Sequence, residues 1–77
     1  MPSAAFGDII RFHRKKSGLS QRELADLAEV GSSSVYELER SKMTVRFETL
    51  LKVCAILNIS IEFASPLMSE FHSSESR

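Results

Sequence analysis

Residues 19–42 read LSQRELADLAEVGSSSVYELERSK. Ser20 followed three residues later by Glu23 is a capping box, in which hydroxyl and carboxylate each satisfy a free backbone N–H. It opens a helix over Gln21–Ala28, with Leu24, Ala25 and Ala28 on its inner face. A break follows at Glu29-Val30-Gly31. The next residues, Ser32, Ser33 and Ser34, carry hydroxyls that compete for backbone hydrogen bonds, so they favour turns and caps over helix interiors. Yet Val35 and Leu38 after them are spaced like one face of a helix, so a further helix over about Ser32–Arg40 begins on three small hydroxyls.

Outward from this pair, Phe6, Ile10, His13 and Arg14 recur at helical spacing and mark a first helix over about Ala4–Ser17. Gly18 ends it, with Lys15 and Lys16 suited to its negative C-terminal dipole. After a loop at Ser41–Val45, a fourth helix over about Arg46–Leu57 places Phe47, Leu50, Leu51, Cys54 and Leu57 on one stripe. The period then changes. Ile59, Ile61 and Phe63 alternate with Ser60 and Glu62, a strand pattern. The chain has no second strand candidate, so this one must pair outside its own fold, most simply with a second copy across a two-fold axis. Pro66 limits its extension, and His72–Arg77 is serine-rich and expected to be disordered.

Seventy-seven residues make one small domain, of the size at which dimerisation is a common source of extra stability. Net charge is zero, but Met1–Lys52 holds nine of the ten Lys/Arg residues against seven acids, a modest basic bias. The lone Cys54 cannot form an internal disulfide, and no secretory or membrane-spanning segment is evident, so a cytoplasmic location is expected.

Two short helices joined by a tight turn suggest a helix-turn-helix. Leu19-Ser20-Gln21, Glu23-Leu24-Ala25, Val30, Val35, Leu38, Glu39-Arg40, Lys42 and Glu48-Thr49-Leu50-Leu51 together resemble the lambda-repressor/Cro-type (XRE-type) helix-turn-helix family over about residues 5–60. Glu29 stands where that family usually has glycine in the turn, and Gly31 where Ser or Thr usually caps the reading helix. The continuation Asn58–Leu67 replaces the more common fifth helix with a strand, and this resembles the HipB-like antitoxins. The resemblance implies a mainly α fold: a four-helix lambda-repressor-like DNA-binding domain with a short C-terminal β-strand pairing across a homodimer. Residues 1–63 would be the helix-turn-helix domain with its dimerisation strand, and 64–77 a partly ordered to disordered tail.

If the third helix enters the major groove N-terminus first, Gly31 and Ser32, Ser33 and Ser34 lie nearest the DNA, where small side chains allow close approach. The resemblance puts base-reading roles on Ser32, Ser33 and Glu37, with Tyr36 beside them. Glu37 suits a cytosine amino group, and Tyr36 a thymine methyl or a phosphate. It gives Gln21 a phosphate contact as well as a contact with the reading helix. It makes Arg14 and Glu39 a partly buried ion pair that orients that helix without touching DNA. Arg40, Lys42 and Arg46 follow the third helix, where they either meet a second phosphate or form an ordinary solvated loop; Arg11, Lys15 and Lys16 are weaker candidates.

Val53 and Ile56, left over from the fourth helix's stripe, extend a surface with Ile59, Ile61 and Phe63 that would form the dimer interface. The alternative is a fourth helix buried on two sides of its own monomer. Leu67, Met68 and Phe71 form a later apolar segment, suited to docking on the dimer or on a partner protein.

No phosphate loop, metal-ligand spacing or nucleophile elbow occurs, so neither an enzyme, a metal nor a cofactor is expected. His13 falls on the core stripe and Cys54 inside the fourth helix. The expected function is a sequence-specific transcriptional repressor acting on double-stranded DNA at a palindromic operator. Within that class it would be the HipB-like antitoxin of an autoregulated toxin–antitoxin operon, binding a HipA-type serine/threonine kinase toxin. The alternatives are a stand-alone or phage-type repressor without a toxin, or a protein-binding neutralising module with weak DNA binding.

Overall fold

The computed structural model describes residues 5–75; Ala4 of the expected first helix and Ser76 and Arg77 of the expected tail lie outside the described residues. Helices α1 (Phe6–Lys16), α2 (Gln21–Ala28), α3 (Ser32–Glu39), α4 (Phe47–Ile56) and α5 (Met68–Glu75) follow in order. The first four match the expected elements to within a residue or two at each end. They enclose a core of Ile10, Leu24, Ala25, Ala28, Val35, Leu38, Val53 and Leu57, with Phe6, Leu19, Val30, Val45, Leu50 and Ile59 packed around it.

The capping box is formed as expected: Glu23 N–H donates to Ser20 Oγ (3.0 Å) and Ser20 N–H to Glu23 Oε1 (2.8 Å). The four body helices share one way of ending. Each is followed by a residue of positive φ: Gly18 (75°), Glu29 (60°), Ser41 (58°) and Asn58 (59°). The next N–H reaches back five residues: Leu19 to Arg14 O, Val30 to Ala25 O, Lys42 to Glu37 O and Ile59 to Cys54 O, at 2.9–3.2 Å. This is the Schellman closure, which satisfies the carbonyls a helix end leaves free. Leu19, Val30 and Ile59, the donors in three of these closures, then turn onto the core.

Gly7 sits where α1 crosses the end of α3. Its N–H donates to Ser41 Oγ (2.9 Å). A Cβ there would lie 2.5 Å from both the Leu38 and Glu39 carbonyl oxygens, so only glycine permits the crossing.

The structure corrects the reading of α4. Leu50, Val53, Cys54 and Leu57 face inward, whereas Phe47 (56 % exposed) and Leu51 (45 %) face out. Val53 is wholly buried within its own monomer and is therefore a core residue, not part of a dimer interface. The cause is that α4 is apolar over a wide arc. The sets 47/50/51/54 and 50/53/54/57 both satisfy helical spacing, and packing against α2 and α3 selects the second.

The expected strand is not formed within one chain. Among the described residues there is no strand, and residues 59–65 run without turn or bend. Within them exposure increases along the chain: Ile59 packs on the core, Ile61 is partly open and Phe63 is mostly exposed. The segment expected to be a disordered tail is helical through Glu75, a fifth helix that buries none of its residues.

Candidate nucleic-acid interface

The site is built around α3, which is fixed at one end and open at the other. Glu39, in its last turn, takes two hydrogen bonds from Arg14 of α1: Nε to Oε2, and Nη2 to Oε1 at 3.0 Å. Arg14 Nη1 donates in addition to the Leu19 carbonyl (2.9 Å), tying the α1–α2 turn into the same node. Gln21 Nε2 donates to Glu39 Oε1 (3.0 Å) from the start of α2. The Arg14 and Glu39 side chains are only 11 % and 4 % exposed. Burial alone would raise the Glu39 carboxyl pKa, but the hydrogen bonds from Arg14 and Gln21 and the charges of Arg14 and Arg11 outweigh it and hold it below the ordinary carboxylate value. The hydrogen bond with Glu39 raises the Arg14 pKa above its usual value, against a smaller opposing effect of burial. The expected ion pair is thus present, and Gln21 touches the reading helix as expected, with one amide hydrogen still free to meet a ligand.

At the other end of α3, Gly31 is the N-cap and no side chain caps the helix. Ser32 and Ser33 are exposed and Ser34 is half-buried. The donors of this first turn and the positive dipole end therefore face outward without a protein anion to occupy them. Gly31 has an ordinary φ of −71°, and an added Cβ would make only van der Waals contact with Ser33 and Ser34, so its role here is small size, not backbone freedom.

Between these ends a cleft is lined by Arg11, Arg14, Gln21, Tyr36, Glu39 and Arg40. Three guanidinium groups against one carboxylate leave it cationic. Arg40 lies over the Tyr36 ring, 5.5 Å from its centroid, and donates to the Tyr36 hydroxyl (3.3 Å), which holds its head group beside the cleft. The structure thus brings Gln21, Tyr36 and Arg40 together, and adds Arg11 to them. It does not bring Lys42 and Arg46 into that cleft. Lys42 pairs with Glu37 (3.4 Å) and borders an apolar depression with Met43 and Phe47. Arg46 approaches Glu48 (3.7 Å), with both side chains largely exposed. The Glu37 carboxylate, expected to read a base, is therefore engaged by Lys42 in the free protein. Arg11 was legible only as one charge among several on α1; its place beside Gln21 depends on how α1 crosses α2.

His13 is half-buried, with Nδ1 2.7 Å from the Ile9 carbonyl. Burial raises the Cys54 thiol pKa, which disfavours the reactive thiolate. No group of residues among those described has metal-binding geometry, and no helix among them is long and apolar enough to cross a membrane.

A short helix presented on a rigid body, anchored at its C-terminal end and preceded by a tight turn from a capped helix, defines a helix-turn-helix DNA-binding module. The Helix-turn-helix family model matches residues 10–63, and the chain belongs to this family, in its lambda-repressor/Cro (XRE) branch. It is 36 % identical over 63 residues to the HTH-type transcriptional regulator y4mF of Sinorhizobium fredii, covering 82 % of this chain and 83 % of that protein. It is 32 % identical over 68 residues to an HTH-type transcriptional regulatory protein of Methanobrevibacter smithii, covering 83 % of this chain but only 22 % of that longer protein. The fold superposes on a chain of a solved HipA–HipB–O2–O3 complex with a TM-score of 0.71 at 16 % identity, covering 86 % of this chain and 96 % of that one. A second structure, described as an MDT protein, matches with the same score, identity and coverage.

Proposed function

We propose that this transcriptional regulator is a homodimeric repressor of a palindromic operator, and that it is the HipB-like antitoxin of an autoregulated operon, binding a HipA-type kinase toxin. One observation carries the DNA reading: α3 is locked to the body through Glu39 while its serine-led N-terminus is open. In this reading Ser32, Ser33 and Ser34 approach the major groove, Gln21 and Arg40 meet phosphates, and Lys42 and Arg46 reach a second phosphate. Tyr36 and Glu37 contact base edges. Residues 1–63 form the DNA-binding domain with its dimerisation segment, and 64–77 a tail. Residues 59–63 of two copies pair antiparallel, which satisfies backbone groups that one chain leaves open. Ile56, Ile61 and Phe63 supply open apolar surface, and Ile59 joins that surface to the core. The antitoxin assignment is supported by this C-terminal segment and by the fold's likeness to a chain of the HipA–HipB–O2–O3 complex.

The test is footprinting of the chain on its own promoter, with sedimentation to determine its assembly state. Protection of two half-sites one helical turn apart, about 34 Å, or a multiple, is expected. Ser33→Glu with Glu37→Ala should abolish protection while leaving capture of the kinase encoded beside it intact. A monomer that protects no DNA would overturn the repressor reading. A dimer that protects DNA but captures no kinase would overturn the antitoxin assignment alone.

A further inference from the structure

We infer that the C-terminal tail is exchanged between protomers: Leu67 and Phe71 of one chain fill the apolar groove between α1 and α4 of the other. The groove is lined by Phe6, Ile9, Leu50, Cys54, Ile59 and Ile61, with a volume of about 240 Å³ and almost no polar lining. Among the described residues nothing fills it. The tail has the complementary deficit. Leu67 (64 % exposed) and Phe71 (54 %) lie four residues apart, on one face where α5 begins, and α5 buries no residue of its own. Met68, beside them, is only half-buried.

Chain geometry favours a second copy as the host. The last groove residue, Ile61, leads directly into the tail, and residues 59–65 run on without a turn or bend. The first reversal after the groove is the turn at Ser65–Pro66, where Met68 N–H donates to the Ser65 carbonyl (3.2 Å) and Leu67 N–H to Ser65 Oγ (3.2 Å), so the extended run of residues 59–65 comes before it. The radius of gyration is 14.7 Å, against roughly 11–12 Å for a compact chain of this length, so the tail stands off its own body. Charge agrees: residues 62–75 hold three glutamates and no Lys or Arg, and Lys16, seven residues after Ile9, lies on the same face of α1 as that groove residue. The inference rests on the antiparallel pairing of residues 59–63 proposed above, because that pairing directs each tail back across its partner's α1 and α4. It also explains how so short a pairing holds, since an isolated two-stranded ribbon is marginal in water.

Two measurements on the full-length chain test this. Leu67→Ala with Phe71→Ala should weaken dimerisation about tenfold to a hundredfold by sedimentation equilibrium. Both side chains are open in the monomer, so its helix content and melting cooperativity should not change. In a Cys54→Ala background, chains carrying Ile9→Cys are mixed with chains carrying Phe71→Cys and oxidised. A covalent heterodimer is expected, with no covalent dimer from either variant alone. Dimerisation unaffected by the alanines would overturn the exchange and leave the dimer reading standing. So would a covalent dimer from Phe71→Cys alone, which indicates α5 against α5. An internal crosslink in a single chain carrying both Ile9→Cys and Phe71→Cys, with none between mixed chains, places the tail on its own groove and overturns it likewise. A full-length chain that stays monomeric overturns both.

Discussion

Arg14 of α1 and Glu39 of α3 are joined by two hydrogen bonds in a nearly closed setting, and the same arginine holds the carbonyl of Leu19. One node thus sets the angle between the reading helix and the two helices that brace it. Removing one partner strands the other's charge where water barely reaches. Glu39→Ala or Arg14→Ala should cost about 2–4 kcal/mol in urea denaturation, somewhat below the figure for a fully buried pair. For a domain this small, each kcal/mol lowers the melting temperature by about 4–8 °C. Arg14→Met with Glu39→Leu should recover much of the loss, because neither charge is then left unpaired. If the double variant is as unstable as the singles, stability here does not come from matching the charges.

The same node sets a pH dependence. Glu39 has a folded pKa below its unfolded value of about 4.3, so its contribution is fully present above that pH. It is lost as pH falls through the folded pKa, because the unfolded state then takes up the proton more readily. Melting temperatures between pH 7 and pH 3 should therefore fall on the acid side of about pH 4.3, and fall less steeply in Glu39→Gln. Equal slopes in both proteins would mean that other carboxylates carry the acid transition.

Glu29 and Gly7 report the backbone demands of the motif separately. Glu29 holds a left-handed conformation, which costs a side chain roughly 1 kcal/mol, and is otherwise exposed. Glu29→Gly should stabilise the protein by about that amount. Gly7→Ala should destabilise it by about 1–3 kcal/mol or more, since the new methyl meets two carbonyl oxygens on α3. Thermal melts of the two variants should therefore move in opposite directions.

These positions also show what could be read from the chain alone. The bounds of α2 were legible because Ser20 and Glu23 cap it through local chemistry. The positive φ at Glu29 was foreseeable only as a departure from the family's glycine. The inward face of α4 was not legible, because Phe47 and Leu51 are as apolar as Val53 and Leu57, and periodicity cannot choose between two overlapping stripes. Gly7 inside an otherwise regular helix was a signal of close backbone approach that pattern reading passed over. Arg40 was one of three equivalent charges by sequence; only its stacking on Tyr36 separates it from Lys42 and Arg46.

That separation is measurable. If Arg40 meets a phosphate from its seat on Tyr36, Arg40→Ala should reduce the slope of log K against log salt by about one unit. Arg46→Ala should change the slope by less than about one unit, because the phosphate contact proposed for Arg46 competes with Glu48 and its head group is otherwise unsupported. Equal effects would remove the distinction drawn from the cleft.

Glu37 offers the sharpest test of base reading. In the free protein its carboxylate lies 3.4 Å from Lys42 Nζ, with the two side chains 41 % and 53 % exposed. A pair this open is worth at most about 1 kcal/mol, so DNA can displace it at little cost. Once released, a carboxylate accepts only, which matches the cytosine amino group, whereas an amide both donates and accepts and matches adenine. Glu37→Gln should leave stability within about 0.5 kcal/mol and shift the preferred base at one position of each half-site from cytosine to adenine. Selection from randomised duplexes by the two proteins reads this directly. An unchanged preference at every position would mean that Glu37 stays with Lys42 on DNA, leaving the serines and the shape of the duplex to carry the discrimination.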